Sequence, residues 1–187
     1  MPFFKGLARC YAILIVLLKL GLGLLLEPQL VYLGGGCVID IGEKCILQGA
    51  ITLKCEDSRL VIGNGVTWGS VNLMMHESNS ILIGHDCMFS SNIFMDISDM
   101  HSIYNIESGE RINQSESIVF GEHCWVGYQA ILLRGTQVLS GSIIGAGSVV
   151  KGIFNERNCI IAGNPGRIVK SGVRWERQLP FDSGNVS

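Results

Sequence analysis

The stretch "FGEHCWVGYQAILLRGTQVLSGSIIGAGSVV" at residues 120–150 repeats every six residues, and this repeat indicates the fold class. A large apolar residue opens each hexad, and a small residue follows four positions later. The opening residues are Phe120, Val126, Leu132, Val138, Ile144 and Val150. The small residues are Cys124, Ala130, Thr136, Ser142 and Ser148. A period of six fits neither an amphipathic helix nor one long alternating strand.

Three longer blocks precede these hexads. They begin with Ile-Gly at Ile41, Ile62 and Ile83, and each is 21 residues long. We interpret a hexad as a short strand with its turn, so that three hexads make one triangular coil of about 18 residues. The longer blocks are then one coil with about three extra residues in a turn. Stacked coils pair their strands in parallel, so the pattern predicts an all-β solenoid with the large residues inside.

Composition narrows the class of protein. A chain of 187 residues favours one domain. Its net charge of −2 offers no basic surface for nucleic acid, which we exclude as a partner. The seven cysteines are odd in number, and Cys45, Cys87 and Cys124 occupy small hexad positions. We therefore expect reduced, buried cysteines, as is typical of a cytoplasmic protein.

The N-terminal segment is different in character. Residues 11–26 are apolar except for Lys19 and follow Lys5 and Arg9, but no signal-peptide cleavage site comes after them. The run is short for a membrane span. Three interpretations stay open: a helix that packs on the domain or lies peripherally on the inner membrane, an ordinary start to the core, or a true span. We divide the chain into this N-terminal segment (1–30), a β-helix domain (31–170) and a C-terminal tail (171–187).

Four motifs then identify a family resemblance. The hexads, "SDMHSIYN" at 98–105 with "GERIN" at 109–113, "GEHCWVGYQAILLRG" at 121–135 and "AGNPGRIVK" at 162–170 resemble the hexapeptide-repeat acyltransferases. The similar branch O-acetylates bacterial surface polysaccharides. The resemblance implies a left-handed parallel β-helix and a homotrimer with each active site between two subunits. It also implies transfer of an acetyl group from acetyl-CoA to a sugar hydroxyl of a capsule, an O-antigen or a precursor. Two alternatives stay open: an acetyltransferase for a small soluble acceptor, and a non-catalytic scaffold.

His101 is the candidate catalytic residue. It lies where the third block ends and before the hexads resume at Phe120, so it is outside the repeating core. The resemblance implies that it is the general base, and a neutral imidazole can take the proton of an attacking hydroxyl. Asp99 either orients His101 or forms a turn with its own backbone. The resemblance places Trp125 beside the catalytic cleft.

The remaining histidines have simpler interpretations. His85 and His123 hold matching turn positions and are expected to face solvent, and His76 is expected in a surface loop. A zinc site of the three-histidine kind needs two histidines a few residues apart, and the sequence has no such pair. We therefore expect no metal.

The acyl donor, acetyl-CoA, is expected to lie along the side of the β-helix. Gly127 and Gly145 stack one coil apart, as do Tyr128 and Ala146, which predicts a shallow channel for the pantetheine arm. Three cations near the end of the helix, Lys151, Arg167 and Lys170, can meet phosphates. Two alternatives stay open: the glycines are needed only for the turns, and the three cations form only a solvated basic face.

Overall fold

The computed structural model describes residues 25–32 and 36–179. These residues contain 17 β-strands, and the predicted all-β solenoid is confirmed. The solenoid is left-handed and has about six turns. Within these ranges no helix is both long and apolar enough to pass through a membrane.

Six parallel strands form the first face of the triangular prism, one strand from each coil. They are β2 (Val38–Ile41), β4 (Arg59–Ile62), β6 (Ser80–Ile83), β9 (Ile118–Phe120), β12 (Gln137–Val138) and β15 (Ile153–Phe154). They pair in that order along the axis, so each coil adds one rung to the ladder.

An 11-stranded sheet bends round a corner and supplies the other two faces. Strands that run along both faces are β1 (Leu25–Tyr32), β3 (Ile46–Leu53) and β5 (Thr67–Met75). The second face adds β7 (Met88–Phe89), β10 (Trp125–Val126), β13 (Ile143–Ile144), β16 (Ile160–Gly163) and the antiparallel β17 (Gly166–Lys170). The third face adds β8 (Ile93–Asp96), β11 (Ile131–Leu132) and β14 (Val149–Val150).

The interior follows the predicted hexads. All six opening residues between Phe120 and Val150 are buried, and so are the five small residues that follow them. Three aromatic rings continue the stack across the coils: Trp68 meets Phe89 edge to face at 6.1 Å, and Phe89 meets Phe120 at 5.4 Å. The predicted burial of Cys45, Cys87 and Cys124 is confirmed. Free thiols are present at all six cysteines that the described ranges contain.

Where a glycine follows the opening residue, as at Gly84 and Gly127, the neighbouring coil requires it. A Cβ on Gly127 would lie 2.7 Å from the backbone nitrogen of Ala146, and one on Gly84 would lie 2.7 Å from the nitrogen of Glu122. Neither glycine has a positive φ. The constraint is therefore the close approach of stacked backbones, and the permissive backbone dihedrals of glycine are not what these positions need.

Both ends of the solenoid have structure that the hexad pattern does not predict. A helix in the N-terminal segment is not confirmed: residues 1–24 lie outside the described ranges, and Leu25–Tyr32 form strand β1. This strand pairs in parallel with β3 along its whole length, so it continues the sheet at the open end of the first coil. At the other end, residues 171–179 turn back from β17 along the solenoid, where Val173 donates a hydrogen bond to the carbonyl of Asn158.

Candidate functional site

A long loop leaves the solenoid at the corner between the third and first faces. It occupies residues 97–117, between β8 and β9. In the first two coils the same corner holds the shorter turns 54–58 and 76–79, which contain most of the extra residues of the 21-residue blocks. His101 lies near the start of the loop and is exposed. No hydrogen bond joins its ring nitrogens to another described residue, which leaves the imidazole open to a substrate.

Asn113 fixes the backbone that carries His101. Its Nδ2 donates to the carbonyl oxygen of His101 at 2.8 Å and to Oδ2 of Asp99 at 3.1 Å. Its Oδ1 accepts from the backbone nitrogen of Ile103 at 2.7 Å and from Nε of Arg111 at 3.2 Å. The side chain is buried. One amide thus ties together both ends of the loop and uses all of its hydrogen-bonding groups.

Asp99 supports the loop through its carboxylate. Arg134, from the fourth coil, donates through Nε to Oδ2 of Asp99 at 3.0 Å, and through Nη1 to the carboxylate of Glu116. Burial alone would raise the pKa of Asp99, but the hydrogen bonds from Asn113 and Arg134 outweigh it and lower that pKa. The carboxylate is therefore engaged by the loop, while the backbone nitrogen of His101 donates to the carbonyl oxygen of Asp99 at 2.7 Å. An orienting bond from Asp99 to the imidazole is not among these contacts.

The second coil holds the other side of the loop. Arg111 makes a bidentate ion pair with Glu77, with Nη–Oε distances of 2.7 and 2.6 Å. The hydrogen bonds from Arg111 lower the pKa of Glu77. Sequence reasoning missed Glu77, Arg111, Asn113 and Arg134, because polar residues outside a repeat carry no periodic signal.

His76 is not the surface-loop residue that the sequence predicts. Its side chain is only 9% exposed, and Nδ1 lies 3.6 Å from Oδ2 of the buried Asp96. Neither ring nitrogen has a hydrogen-bond partner among the described residues. Burial raises the pKa of Asp96, against the opposing influence of His76. The prediction fails because the long loop covers the turn that carries His76.

Trp125 stands on the second face, beside a groove of about 460 Å³. The outward residues of four coils form the floor in register, since Trp125 pairs with Met88, Met88 with Thr67, and Thr67 with Ile46. Gln48 and Ser90 add polar groups to the lining. Trp125 is 37% exposed, so one side of its indole is available to a ligand.

The structure does not bring His101 and Trp125 together in one chain. The loop of His101 leaves the corner between the third and first faces, whereas Trp125 points outward from the second face. In a triangular prism that corner lies opposite the second face. A site that uses both side chains needs two copies of the chain.

The residues predicted to meet the donor fall into separate groups. Gly127 and Gly145 do stack at the corner between the second and third faces, where Gly127 donates to the carbonyl of Ile144 at 2.9 Å. Tyr128 is exposed beside them, and Asn92 donates to its hydroxyl at 3.0 Å. The close approach of Gly127 to Ala146 means that coil stacking alone explains this glycine.

The three predicted cations are divided between two places. Lys151 lies in the turn after β14, on the corner of the long loop, where its charge helps to lower the pKa of Asp99. Arg167 and Lys170 are exposed on β17 at the end of the second face. As for metals, the described part of the chain contains no cluster of three histidine, cysteine or acidic side chains placed to bind one.

Comparison with known proteins identifies the family to which the chain belongs. The chain is 31% identical over 146 residues to the polysialic acid O-acetyltransferase of Neisseria meningitidis, a match that covers 78% of this chain and 68% of that protein. The chain belongs to the family of the bacterial polysaccharide O-acetyltransferases. It is also 32% identical over 139 residues to the polysialic acid O-acetyltransferase of Escherichia coli O1:K1. That match covers 74% of this chain but only 45% of the length of the relative.

A solved structure of this O-acetyltransferase family agrees with the fold. The crystallographic structure of the polysialic acid O-acetyltransferase OatWY superposes with a TM-score of 0.59 and 25% identity, and covers 88% of this chain and 96% of that one. No protein-family model matches the chain.

Proposed function

We propose that the chain is an acetyl-CoA-dependent O-acetyltransferase that acts on a sugar hydroxyl of a bacterial capsule or O-antigen polysaccharide, or of its precursor. The observation that carries this proposal is the 31% identity to the N. meningitidis enzyme. A match over 78% of the chain includes its middle wherever it begins, and that is where His101 and Trp125 lie.

His101 is proposed as the general base. A sugar hydroxyl is a weak nucleophile at neutral pH, and a neutral imidazole within hydrogen-bond reach accepts its proton while the oxygen attacks the acetyl carbonyl. The carbon–sulfur bond of the thioester breaks, and the CoA thiol leaves with a proton. Exposure of His101 on a loop held by Asn113 and Arg134 suits this role, because the ring is free and its backbone is fixed.

The donor is proposed to lie along the corner between the second and third faces. Gly127 and Gly145 keep that corner flat, with Tyr128 and Ala146 beside them. Arg167 and Lys170 at the end of the second face supply positive charge for the phosphates of acetyl-CoA. This arrangement occupies the fourth to sixth coils and leaves the groove of the first four coils for the acceptor.

A homotrimer completes the site. Support comes from the opposite placement of His101 and Trp125, and from the apolar side chains that the long loop exposes. Ile103, Tyr104, Ile106 and Ile112 are all exposed there. We propose that the loop of one copy packs against the second face of the next, which buries these side chains and places His101 over the groove of Trp125.

The N-terminal segment is proposed to rest on the cytoplasmic surface of the inner membrane. Residues 11–24 are apolar apart from Lys19, and Lys5 and Arg9 precede them. Removal of residues 1–24 keeps strand β1 and should abolish sedimentation with vesicles that contain phosphatidylglycerol, with thiol release intact. A truncated protein that loses its trimer instead would assign the segment to the fold.

An assay of CoA thiol release tests the function. Acetyl-CoA is presented with a panel of polysialic acid, other capsular glycans, O-antigen fragments, simple sugars and amino acids. We expect release with a polymer or its oligosaccharide, at a rate that EDTA does not change. Release with a small soluble acceptor only, or none with any member of the panel, would contradict the proposed acceptor class or the enzyme assignment.

A further inference from the structure

The C-terminal tail at residues 171–179 packs on the edge of the groove. Trp175 is buried, and its ring stacks on the ring of His123 with centroids 4.2 Å apart and planes 9° apart. Its Nε1 donates to the carbonyl oxygen of His123 at 2.9 Å. The same indole lies 6.0 Å from the ring of Trp125, at an angle of 43°. The tail therefore contacts Trp125 at the edge of the groove through Trp175, which does not itself line the groove.

Arg177 ties the tail to two further coils. Its Nε donates to Oδ1 of Asp86 at 2.6 Å, and its Nη1 donates to Oγ1 of Thr67 at 2.9 Å. Its Nη2 donates to the carbonyl oxygens of Gly65 at 3.1 Å and Cys87 at 2.9 Å. Thr67 lines the groove. The tail thus runs along the edge of the groove from the fourth coil to the second.

His123 joins the tail to the solenoid through both ring nitrogens. Nδ1 lies 2.6 Å from Oδ2 of Asp86, and Nε2 lies 3.2 Å from the carbonyl oxygen of Trp175. Both partners are acceptors, so only the doubly protonated ring donates to each. The charged groups that face the ring are Asp86, with Arg177 on its other oxygen, and Glu176. Partial burial would lower the pKa of His123, but the bonds to Asp86 and Trp175 raise it overall.

The tail corrects the expectation that His123 faces solvent. It covers one face of the imidazole, while the matching His85 is exposed as predicted. The repeat pattern does not predict this difference, because the two histidines hold equivalent turn positions and the tail has no repeat.

We propose that Trp175 is a positioning residue for Trp125, which it holds against the groove for the acceptor sugar, and that charged His123 fastens the tail that carries it. The proposal rests on the proposed function, since it takes Trp125 as a wall of the acceptor site. The groove reaches from the first coil to the fourth, whereas the proposed donor residues lie in the fourth to sixth. An indole face beside Met88, Gln48 and Ser90 offers a sugar ring both an apolar platform and polar partners.

The first test separates acceptor from donor. For Trp175→Ala we expect the KM for the glycan to rise about tenfold, while the KM for acetyl-CoA and acceptor-independent thiol release stay unchanged. Trp175→Phe keeps an aromatic ring on His123, so its KM for the glycan should stay close to the wild-type value. The control is Arg174→Ala, since Arg174 is exposed and pairs with Glu176 at 3.7 Å. Equal changes in both KM values, or none, would overturn the proposal.

The second test does not depend on activity. Protonated imidazole quenches a stacked indole, so tryptophan emission should rise with pH, with a midpoint above the ordinary histidine value of about 6.5. His123→Gln and Trp175→Phe should each remove this titration. An emission that does not titrate in the wild-type protein would overturn the role of His123. A wild-type protein that titrates but transfers no acetyl group would instead count against the proposed function alone.

Discussion

The stacked coils and the long loop at residues 97–117 are built by different forces. In the coils, each residue meets the same kind of residue above and below it, and burial of hexad side chains such as Leu132 and Ile144 holds the stack. In the loop, the backbone is held by polar side chains, chiefly Asn113 of the loop itself and Arg134 of the fourth coil. Stability should therefore reside in the coils and chemical activity in the loop, and substitutions can separate the two.

The largest effect is expected at the free imidazole. His101→Ala should lower turnover by about 10² to 10⁴, the usual range for the loss of a general base. The melting temperature should not change, because the side chain of His101 is exposed. Steady-state thiol release and thermal melting measure the two quantities. A variant with wild-type turnover would remove His101 from the reaction.

A core substitution should show the reverse pattern. Leu132→Ala empties a fully buried position in the fourth coil and should lower the free energy of unfolding by about 2 to 5 kcal/mol. Enzyme that remains folded should turn over at close to the wild-type rate. Denaturant unfolding and active-site-normalised kinetics make the comparison. A loss of turnover without a loss of stability would show that coils and loop are not separate in function.

Asn113 should give an intermediate effect on activity. Asn113→Asp keeps the acceptor for Ile103 but loses the donor to the carbonyl of His101, and it sets a second carboxylate beside Asp99. We expect turnover to fall about tenfold, which corresponds to about 1.4 kcal/mol. Asn105→Ala, at the exposed loop tip, is the matched control, since Asn105 caps only local nitrogens. Equal effects of the two substitutions would argue against a specific role for Asn113.

The smallest effect is expected at a hexad cysteine. Cys124 occupies a small buried position that Ser142 fills in the next coil. Cys124→Ser should change the unfolding free energy by only about 1 kcal/mol and leave turnover unchanged, because the carbonyl oxygen of Leu139, 3.4 Å from the thiol, can accept from the buried hydroxyl. A large loss of activity in this variant, measured with the same assay, would reveal a role for the thiol that the coils do not explain.

The sequence predicted the coils well because they repeat. The period of six located the buried residues from Phe120 to Val150, and the break in that period located His101. It could not locate Asn113 or Arg134, since Asn113 meets His101 from 12 residues away, Arg134 meets Asp99 from 35 residues away, and neither pair belongs to a pattern. The same limit applies to His76 and His123, whose burial depends on a loop and a tail that pack on them from other parts of the chain.

Mixed trimers test whether His101 of one copy and Trp125 of the next form one site. His101→Ala and Trp125→Ala should each be impaired at least about tenfold as homotrimers. Co-refolded at equal amounts, they should regain about a quarter of wild-type turnover, because one site in four then has an intact His101 and an intact Trp125. Mixed trimers, verified by mass spectrometry, that regain no activity would contradict the shared site.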